Sequence, residues 1–187
     1  PQDAVPNWVT CPWPDDFSQI LEYQWNEVLI PYWKEKAAFA REHGVHRIAL
    51  ELHPGFCVYN TKTLLRLREA VGPEIGANFD PSHLIWQGMD PAMFLYDFAS
   101  RVYHVHIKDA AVNLNGRNGI LGSHITFGDP RRGWNFVSPG HGDVDFDKII
   151  RVLNVKGYEG PLSIEWGGQR HGPYFRGYRG VRVYKED

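Results

Sequence analysis

The sequence has little that would mark a secreted, membrane-bound or nucleic-acid-binding protein. Its two cysteines, Cys11 and Cys57, form neither a metal-type pair nor a disulfide framework, so we expect a reducing, cytoplasmic location. No apolar run approaches the ~20 residues of a membrane span, and no signal peptide is visible. A net charge of −2 and a pI of about 6.6 give no reason to expect a nucleic-acid partner, because phosphate binding needs clustered positive charge.

The chain does have enough apolar material for one core. It contains 187 residues, of which 43% are hydrophobic and 14% aromatic, as expected of a single globular domain. The first residue is Pro1 rather than methionine, and the opening stretch has the composition of a loop. We therefore expect a fragment or a processed chain whose N-terminal part is missing.

Apolar spacing and breaker residues predict helices and strands that alternate along the chain. Helical spacing covers residues 17–43, where Pro31 should kink or split the helix. The later elements are predicted as strands at 46–53, 75–79, 102–107 and 162–166, and as helices at 61–70, 90–100 and 146–155. Thr61 is the predicted N-cap of the first of these helices. The alternation favours parallel strands joined by right-handed crossovers.

Metal-capable side chains stand near the C-terminal end of every predicted strand. They are Glu51, Asp80, the pair His104 and His106, and Glu165. Parallel α/β proteins place their sites at this edge, and carboxylates gathered there would repel one another without a cation. Such oxygen and nitrogen ligands suit Mn²⁺, Co²⁺, Mg²⁺ or Zn²⁺. Each residue alone also fits a helix cap, a solvated loop position or a hydrogen-bonded strand position, so the spacing leaves that alternative open.

Six sequence segments carry a resemblance to a known enzyme family. They are ELHPG, NFDPSHLIWQGMDP, YHVHIKDA, NGRNGILGSH, GDPRRGWNFVSPGHGDVDF and GYEGPLSIEW. Across residues 30–166 the sequence resembles the xylose isomerase-like TIM-barrel superfamily of sugar-phosphate isomerases and epimerases, which also includes inosose dehydratases. In that family the barrel has eight strands, and the last four supply the metal ligands. The resemblance implies an α/β fold, a partial (β/α)8 TIM barrel with roughly strands five to eight and the intervening helices.

The resemblance also implies that the chain departs from the family at both ends. Residues 1–187 would form a single domain whose N-terminal half is missing, and a half barrel leaves open edges that invite association. A homo-oligomer or a complementing half-barrel is therefore an expected partner. The family usually ends in an amphipathic helix, whereas residues 167–187 are rich in Gly and Arg without an apolar stripe. We predict an atypical tail there that does not form the final barrel helix.

The family resemblance further implies a metal-dependent chemistry. One divalent ion would be held by Glu51, Asp80, His106 and Glu165, with Mn²⁺ as first choice and Co²⁺, Mg²⁺ or Zn²⁺ as alternatives. It would stabilise the enediolate formed when a proton leaves the carbon next to the carbonyl of a small sugar or polyol substrate. Glu51 and Glu165 would be the catalytic residues that remove and return the proton, giving epimerisation or isomerisation. His106 is preferred over His104 because it lies nearer the C-terminal edge.

Four further residues are candidates for substrate binding, namely His83, Lys108, His53 and Arg132. The first resembles the family histidine that contacts a substrate oxygen, and the lysine could hold an anionic or hydroxyl group. Arg132, like Arg131 and His141, falls in the polar segment 111–143, which is long enough to be a functional lid or binding loop. Each candidate also has a plain structural alternative, as a capping histidine, a solvated lysine or an ordinary loop residue.

Two other functions stay open at the level of sequence. An inosose-type polyol dehydratase could use the same metal and base but expel water. A truncated, non-catalytic fragment or binding module would need no chemistry at all. A phosphodiesterase of the endonuclease IV type is disfavoured, because it would need more His and Asp ligands and a basic DNA-binding face that this near-neutral chain does not offer.

Overall fold

A four-stranded parallel sheet lies at the centre of the structure, a computed structural model that describes residues 12–122, 127 and 129–165. The strands are β1 (Ile48–Glu51), β2 (Ile75–Phe79), β3 (Val102–Ile107) and β6 (Leu162–Ile164), numbered along the chain and arranged in the order β1-β2-β3-β6. All three pairings are parallel, which confirms the predicted α/β sheet. β2 and β3 have the predicted bounds, whereas β1 and β6 are shorter than predicted.

Helices precede the sheet and connect its strands. They are α1 (Asp15–Tyr23), a π-helical turn (Gln24–Leu29), α2 (Ile30–Glu42), α3 (Thr61–Val71), α4 (Pro81–Ile85), α5 (Pro91–Phe98), a 3₁₀ turn (Ala99–Arg101) and α6 (Phe146–Val155). Apolar side chains from these helices and from the sheet share one core, in which Leu64, Leu67, Leu95 and Ile149 are almost fully buried. None of the helices in the described segments combines the length and the apolar content that a membrane crossing requires.

Polar side chains cap the helices that follow β1 and β2. At the start of α3, Asn60 accepts a hydrogen bond from the Thr63 N–H, and the Thr63 hydroxyl accepts one from the Asn60 N–H. The predicted Thr61 N-cap is therefore wrong by one residue, because Asn60 has the extended backbone and the capping side chain. Asp80 and Asp90 cap α4 and α5 in the same way, and a proline follows each of them in the first helical turn.

The helical stretch before β1 is interrupted, as predicted from Pro31. The π-helical turn separates α1 from α2, and Pro31, the second residue of α2, has no N–H to donate to the turn before it. Trp25 in the π-helical turn is buried, and the Arg66 guanidinium lies 4.5 Å from its ring centroid. This cation–π contact stabilises the packing of the N-terminal helical stretch against α3.

The polar segment 111–143, predicted as one long loop, contributes to a β-hairpin. β4 (Asp109–Val112) pairs antiparallel with β5 (Trp134–Val137), so that Ala110 lies opposite Phe136. The prediction of an unbroken loop is therefore corrected. The two strands were missed because each has only four residues and no short turn motif joins them. The hairpin starts just after β3 and packs against α4, which places it at the C-terminal edge of the sheet.

β1 and β6 form the two edges of the sheet. Within the part of the chain that the structure describes, each pairs with a single neighbour. Leu162 and Ile164 of β6 are 48% and 60% exposed, so this edge offers apolar surface to a further strand or helix. The homo-oligomer or complementing half-barrel expected from the sequence stays a prediction. The predicted tail over 167–187 lies outside the described residues.

Candidate metal centre

Four side chains, one from each strand of the sheet, meet at its C-terminal edge. Glu51 is the last residue of β1, Asp80 follows β2, His106 belongs to β3 and Glu165 follows β6. One ligand atom of each residue lies within 4.8 Å of the ligand atoms of the other three. The strands are parallel, so their C-terminal ends point the same way and bring residues that are distant in sequence into one cluster.

Asp80 is the most deeply buried member of this cluster, and one of its oxygens accepts no hydrogen bond from the described residues. Its Oδ1 accepts hydrogen bonds from the Ser82 N–H at 2.9 Å and from the Ser82 hydroxyl at 2.7 Å. Its Oδ2 is buried and has no hydrogen-bond partner within the described residues. His83 Nε2 lies 3.5 Å and Lys108 Nζ 3.8 Å from this oxygen, and a cation at bonding distance would stabilise the buried oxygen more strongly than either. The three carboxylates and one imidazole therefore fit a divalent metal ion.

The charges of the cluster act strongly on one another. His106 Nδ1 lies 2.9 Å from Glu165 Oε2, and it lies 3.9 Å from both Glu51 Oε1 and Asp80 Oδ2. Asp80 foremost, and then the charges of Glu51 and Glu165, raise the pKa of His106 although burial opposes them. Burial raises the pKa of Asp80, but His106, His83 and further polar neighbours outweigh it and bring that pKa down to about 2. The Asp80 carboxylate therefore stays ionised at any ordinary pH.

Lys108 contacts the cluster from the position directly after β3. It is 7% exposed, and its Nζ donates a hydrogen bond to Glu165 Oε1 at 2.6 Å. The same nitrogen lies 3.8 Å from Asp80 Oδ2 and 4.5 Å from the ring centroid of Phe136 in β5. An ammonium group in this position can hold a negatively charged or hydroxyl oxygen beside Glu165.

His83 and His53 lie next to each other beside the cluster. His83 Nε2 lies 3.0 Å from Glu51 Oε1 and 3.5 Å from Asp80 Oδ2. Its ring centroid is 4.3 Å from that of His53 and 5.3 Å from that of Phe136, which it meets edge-on. Burial, and then the charge of His83, lower the pKa of His53. Both predicted substrate-binding histidines thus lie beside the candidate ligands.

Arg132 lies in an aromatic cluster of the hairpin. It is 2% exposed, and its guanidinium lies 4.0 Å from the ring centroid of Trp134 and 4.6 Å from that of Phe127. Its Nε also donates a hydrogen bond to the Trp134 carbonyl at 2.8 Å, and Trp134 stacks on Trp86 at 4.3 Å. These contacts give Arg132 a packing role in the hairpin, and its predicted role in substrate binding stays a prediction.

Three other residues weighed from the sequence lie outside the four-residue cluster. His104 Nε2 lies 2.9 Å from the Ser163 hydroxyl. Arg131 forms an exposed ion pair with Asp129 at 3.0 Å. His141 is exposed in the loop that follows β5. The histidine of β3 that lies among the carboxylates is His106, the one nearer the edge of the sheet, and its role as a metal ligand stays a prediction.

Comparison with known families decides what kind of fold this partial barrel belongs to. Residues 12–184 match the family described as the xylose isomerase-like TIM barrel. The chain belongs to this family. The match includes every strand of the parallel sheet, so the family resemblance and the fold class expected from the sequence are both confirmed.

Curated proteins resemble this family member over most of its length. The uncharacterized protein YfiH of Bacillus subtilis (strain 168) is 44% identical over 171 residues, which cover 88% of this chain and 55% of that protein. An inosose dehydratase of Clostridium perfringens (strain 13 / Type A) is 31% identical over 129 residues, covering 68% of this chain and 42% of that enzyme. The chain spans about half the length of the curated relatives it matches.

Solved structures share the fold of this family member. The probable 3-DHS dehydratase AsbF of Bacillus anthracis gives a TM-score of 0.61 at 21% identity, covering 83% of this chain and 54% of that chain. A D-tagatose 3-epimerase-like protein gives a TM-score of 0.58 at 23% identity, covering 88% and 55%. At these identities the likeness concerns the fold alone.

Asp109 is an organising residue that the sequence interpretation missed. It is fully buried, and its Oδ2 accepts hydrogen bonds from the N–H groups of Gly140 and Gly142 at 2.9 and 2.8 Å. Its Oδ1 accepts two more, from Ala110 at 2.8 Å and Val144 at 3.2 Å. The carboxylate therefore ties the start of the hairpin to the loop that leads into α6. Its partners are backbone N–H groups, three of which are roughly 30 residues away in the sequence. The spacing of side chains therefore could not predict this role of Asp109.

The pH dependence of metal binding should follow His106. A protonated imidazole cannot bind a metal ion, and the pKa of His106 is raised above the ~6.5 of a free histidine. Metal affinity should therefore be full at alkaline pH and fall as the pH drops through this raised value. Calorimetric titration with Zn²⁺ between about pH 8 and about pH 5.5 measures the effect. The His43→Gln variant, changed at the exposed end of α2, should give the same profile, and a constant affinity would contradict the prediction.

Proposed function

We propose that this chain carries the metal-binding half of a divalent-metal-dependent sugar isomerase or epimerase, which removes a proton next to the carbonyl of a small sugar or polyol. One observation carries the proposal. Three carboxylates and one imidazole have ligand atoms within 4.8 Å of one another, and one of these carboxylates, Asp80, has a buried oxygen with no hydrogen-bond partner within the described residues. Membership of the family supports it, since relatives and neighbours of this chain bear the names of dehydratases and epimerases.

Four residues would hold the metal ion, namely Glu51, Asp80, His106 and Glu165. When bound, the ion would supply Lewis-acid stabilisation of negative charge that develops on the substrate oxygens. The ligand set of three carboxylates and one imidazole is the reason to try Mn²⁺ first, followed by Co²⁺, Mg²⁺ and Zn²⁺.

The two glutamates would move the proton. They belong to the first and last strands of the sheet, so a substrate placed between them meets one carboxylate on each side. One would take the proton, and the other would return it on the opposite face in epimerisation or at the adjacent carbon in isomerisation. Each has a neighbour that can hold or share a proton. Lys108 donates to Glu165 at 2.6 Å, and His83 lies 3.0 Å from Glu51.

Dehydration of a polyol is the second candidate function. The observation that favours it is the similarity to inosose dehydratase, at 31% identity over 68% of this chain. Dehydration would begin with the same proton removal, and a general acid would then protonate the departing hydroxyl group. Lys108 and His83 are the donors best placed for that second step, because each contacts a candidate catalytic carboxylate.

Exchange of a substrate proton tests the proposal. The chain is loaded with Mn²⁺ and incubated in D₂O with inosose or with a ketohexose such as D-tagatose, and mass spectrometry follows deuterium uptake. We expect uptake at the carbon next to the carbonyl, and its loss when a chelator is added. A new epimer or isomer supports the leading function, and a product lighter by one water supports dehydration. A metal-loaded chain that exchanges no proton with any of these substrates contradicts both.

The remaining expectations are part of the same proposal. His83, Lys108 and His53 would contact the substrate, since His83 and Lys108 contact candidate ligands and His53 lies against His83. Arg132 would act on the substrate only through the hairpin that it helps to pack. The cytoplasmic location expected from the sequence stays a prediction.

A further inference from the structure

An aromatic ring of the β4–β5 hairpin lies against two polar neighbours of the candidate catalytic glutamates. The ring centroid of Phe136 in β5 is 4.5 Å from Lys108 Nζ and 5.3 Å from the ring centroid of His83. Lys108 donates a hydrogen bond to Glu165 at 2.6 Å, and His83 Nε2 lies 3.0 Å from Glu51 Oε1. One apolar side chain of the hairpin therefore contacts a polar neighbour of each glutamate.

The register of the hairpin brings Phe136 and Lys108 together. Phe136 lies opposite Ala110, and Lys108 stands two residues before Ala110 along the chain. An aromatic and a long side chain at such diagonal positions of an antiparallel pair can reach each other. Because Lys108 is only 7% exposed, water screens the attraction between its ammonium group and the ring only weakly. The ring therefore holds this lysine more strongly than it would hold an exposed one.

Other aromatic side chains keep the Phe136 ring in its position. Trp134 stands two residues before Phe136 on the same face of β5, and their ring centroids are 5.0 Å apart. The ring of Phe127 lies 5.6 Å from that of Phe136. Trp134 in turn stacks on Trp86 at 4.3 Å, and its Nε1 donates a hydrogen bond to the Ile120 carbonyl at 2.9 Å. The packing of the hairpin thus sets the position of the Phe136 ring.

We infer that Phe136 is a positioning residue, whose ring holds the Lys108 ammonium group against Glu165 and the His83 ring against Glu51. The inference rests on the proposed function, because the two glutamates are its proposed catalytic residues. A lysine side chain is flexible, and a salt bridge fixes only its charged end. The aromatic ring adds a second attraction, so the ammonium group stays directed at Glu165 before a substrate binds. The hairpin, which carries none of the four candidate ligands, would thereby pre-organise the site.

Proton exchange by three variants tests the role of Phe136. Phe136→Leu keeps most of the apolar volume but removes the ring, so the rate of deuterium uptake by substrate on the Mn²⁺-loaded chain should fall ~10-fold. Phe136→Tyr keeps the ring and should exchange at the wild-type rate. Tyr96→Leu, the matched control, removes an exposed ring of α5 that contacts Lys156 at 4.0 Å, and should leave the rate unchanged. Equal rates in the wild type and in a folded Phe136→Leu variant would overturn the inference.

A second measurement separates this inference from the proposed function. Nitrogen-15 NMR of the metal-free protein detects a lysine ammonium group whose protons exchange slowly with water, and comparison with Lys108→Met assigns the signal. We expect the Lys108 signal in the wild type and in Phe136→Tyr, and its loss in Phe136→Leu. A wild-type chain that shows this pattern but exchanges no substrate proton would contradict the proposed function and leave the positioning role standing. A signal that is equal in these three proteins, or missing from the wild type, would overturn the positioning role.

Discussion

Asp80→Asn is expected to abolish metal binding while the fold stays intact. The asparagine can still accept the hydrogen bonds of the Ser82 N–H and hydroxyl, so the cap of α4 survives. Its amide nitrogen, however, would replace the buried Oδ2 and point two N–H groups at the place where the cation is expected. Mutation of a residue that only hydrogen-bonds to a metal ligand lowers metal affinity by up to ~100-fold. Because Asp80 is itself a candidate ligand, we expect its affinity for Mn²⁺ to fall by more than that.

The chain offers a matched control for this change. Asp90 is also the N-cap of a helix, is also followed by a proline, and accepts hydrogen bonds from the Ala92 and Met93 N–H groups. Its second oxygen pairs with Lys148 at 2.7 Å, outside the four-residue cluster. Asp90→Asn should thus bind Mn²⁺ like the wild type in a calorimetric titration. Unchanged metal binding by Asp80→Asn would show that the ion binds outside the four-residue cluster.

Asp109→Asn is expected to destabilise the protein by about 2–4 kcal/mol, although it touches none of the candidate ligands. The carboxylate accepts hydrogen bonds from four backbone N–H groups in a fully buried position. An amide has only one acceptor oxygen, and its NH₂ group would face two of those N–H groups as donor against donor. Urea unfolding measures the loss as a lower midpoint at an unchanged slope.

The control for this change is Asp129→Asn in the same long segment. Asp129 accepts a hydrogen bond from the Arg131 N–H and forms an exposed ion pair with the same residue, and exposed pairs contribute little. Its unfolding midpoint should stay close to that of the wild type. If Asp109→Asn unfolds at the same urea concentration as Asp129→Asn, the four hydrogen bonds do not hold the hairpin and the loop together.

Elements that depend on local chemistry could be predicted from the sequence. β2 and β3 have the predicted bounds, and α6 runs over the predicted residues, because apolar spacing and flanking breakers define them within a few residues. The interruption near Pro31 follows from the missing N–H of proline. The convergence of carboxylates was also foreseeable, since it needs only parallel strands whose ends carry the right residues.

Features that depend on distant backbone groups could not be predicted. The β4–β5 hairpin forms because two short segments, separated by about 20 residues, find each other in the folded chain. Asp109 stands next to the lysine of HIKDA, yet its role depends on N–H groups of the loop before α6.

The order of strands in the sheet has a consequence for how the protein assembles. β1, β2 and β3 follow one another in both sequence and space, so short crossovers close their contacts early in folding. β6 joins β3 only after roughly 50 further residues, a longer loop whose closure costs more chain entropy. We therefore expect Glu165 to be the last of the four candidate ligands to reach the cluster during folding. A metal ion bound by all four residues would connect Glu165 to the other strands. Its binding should therefore slow the detachment of β6 from β3 more than it slows the unfolding of β1, β2 and β3.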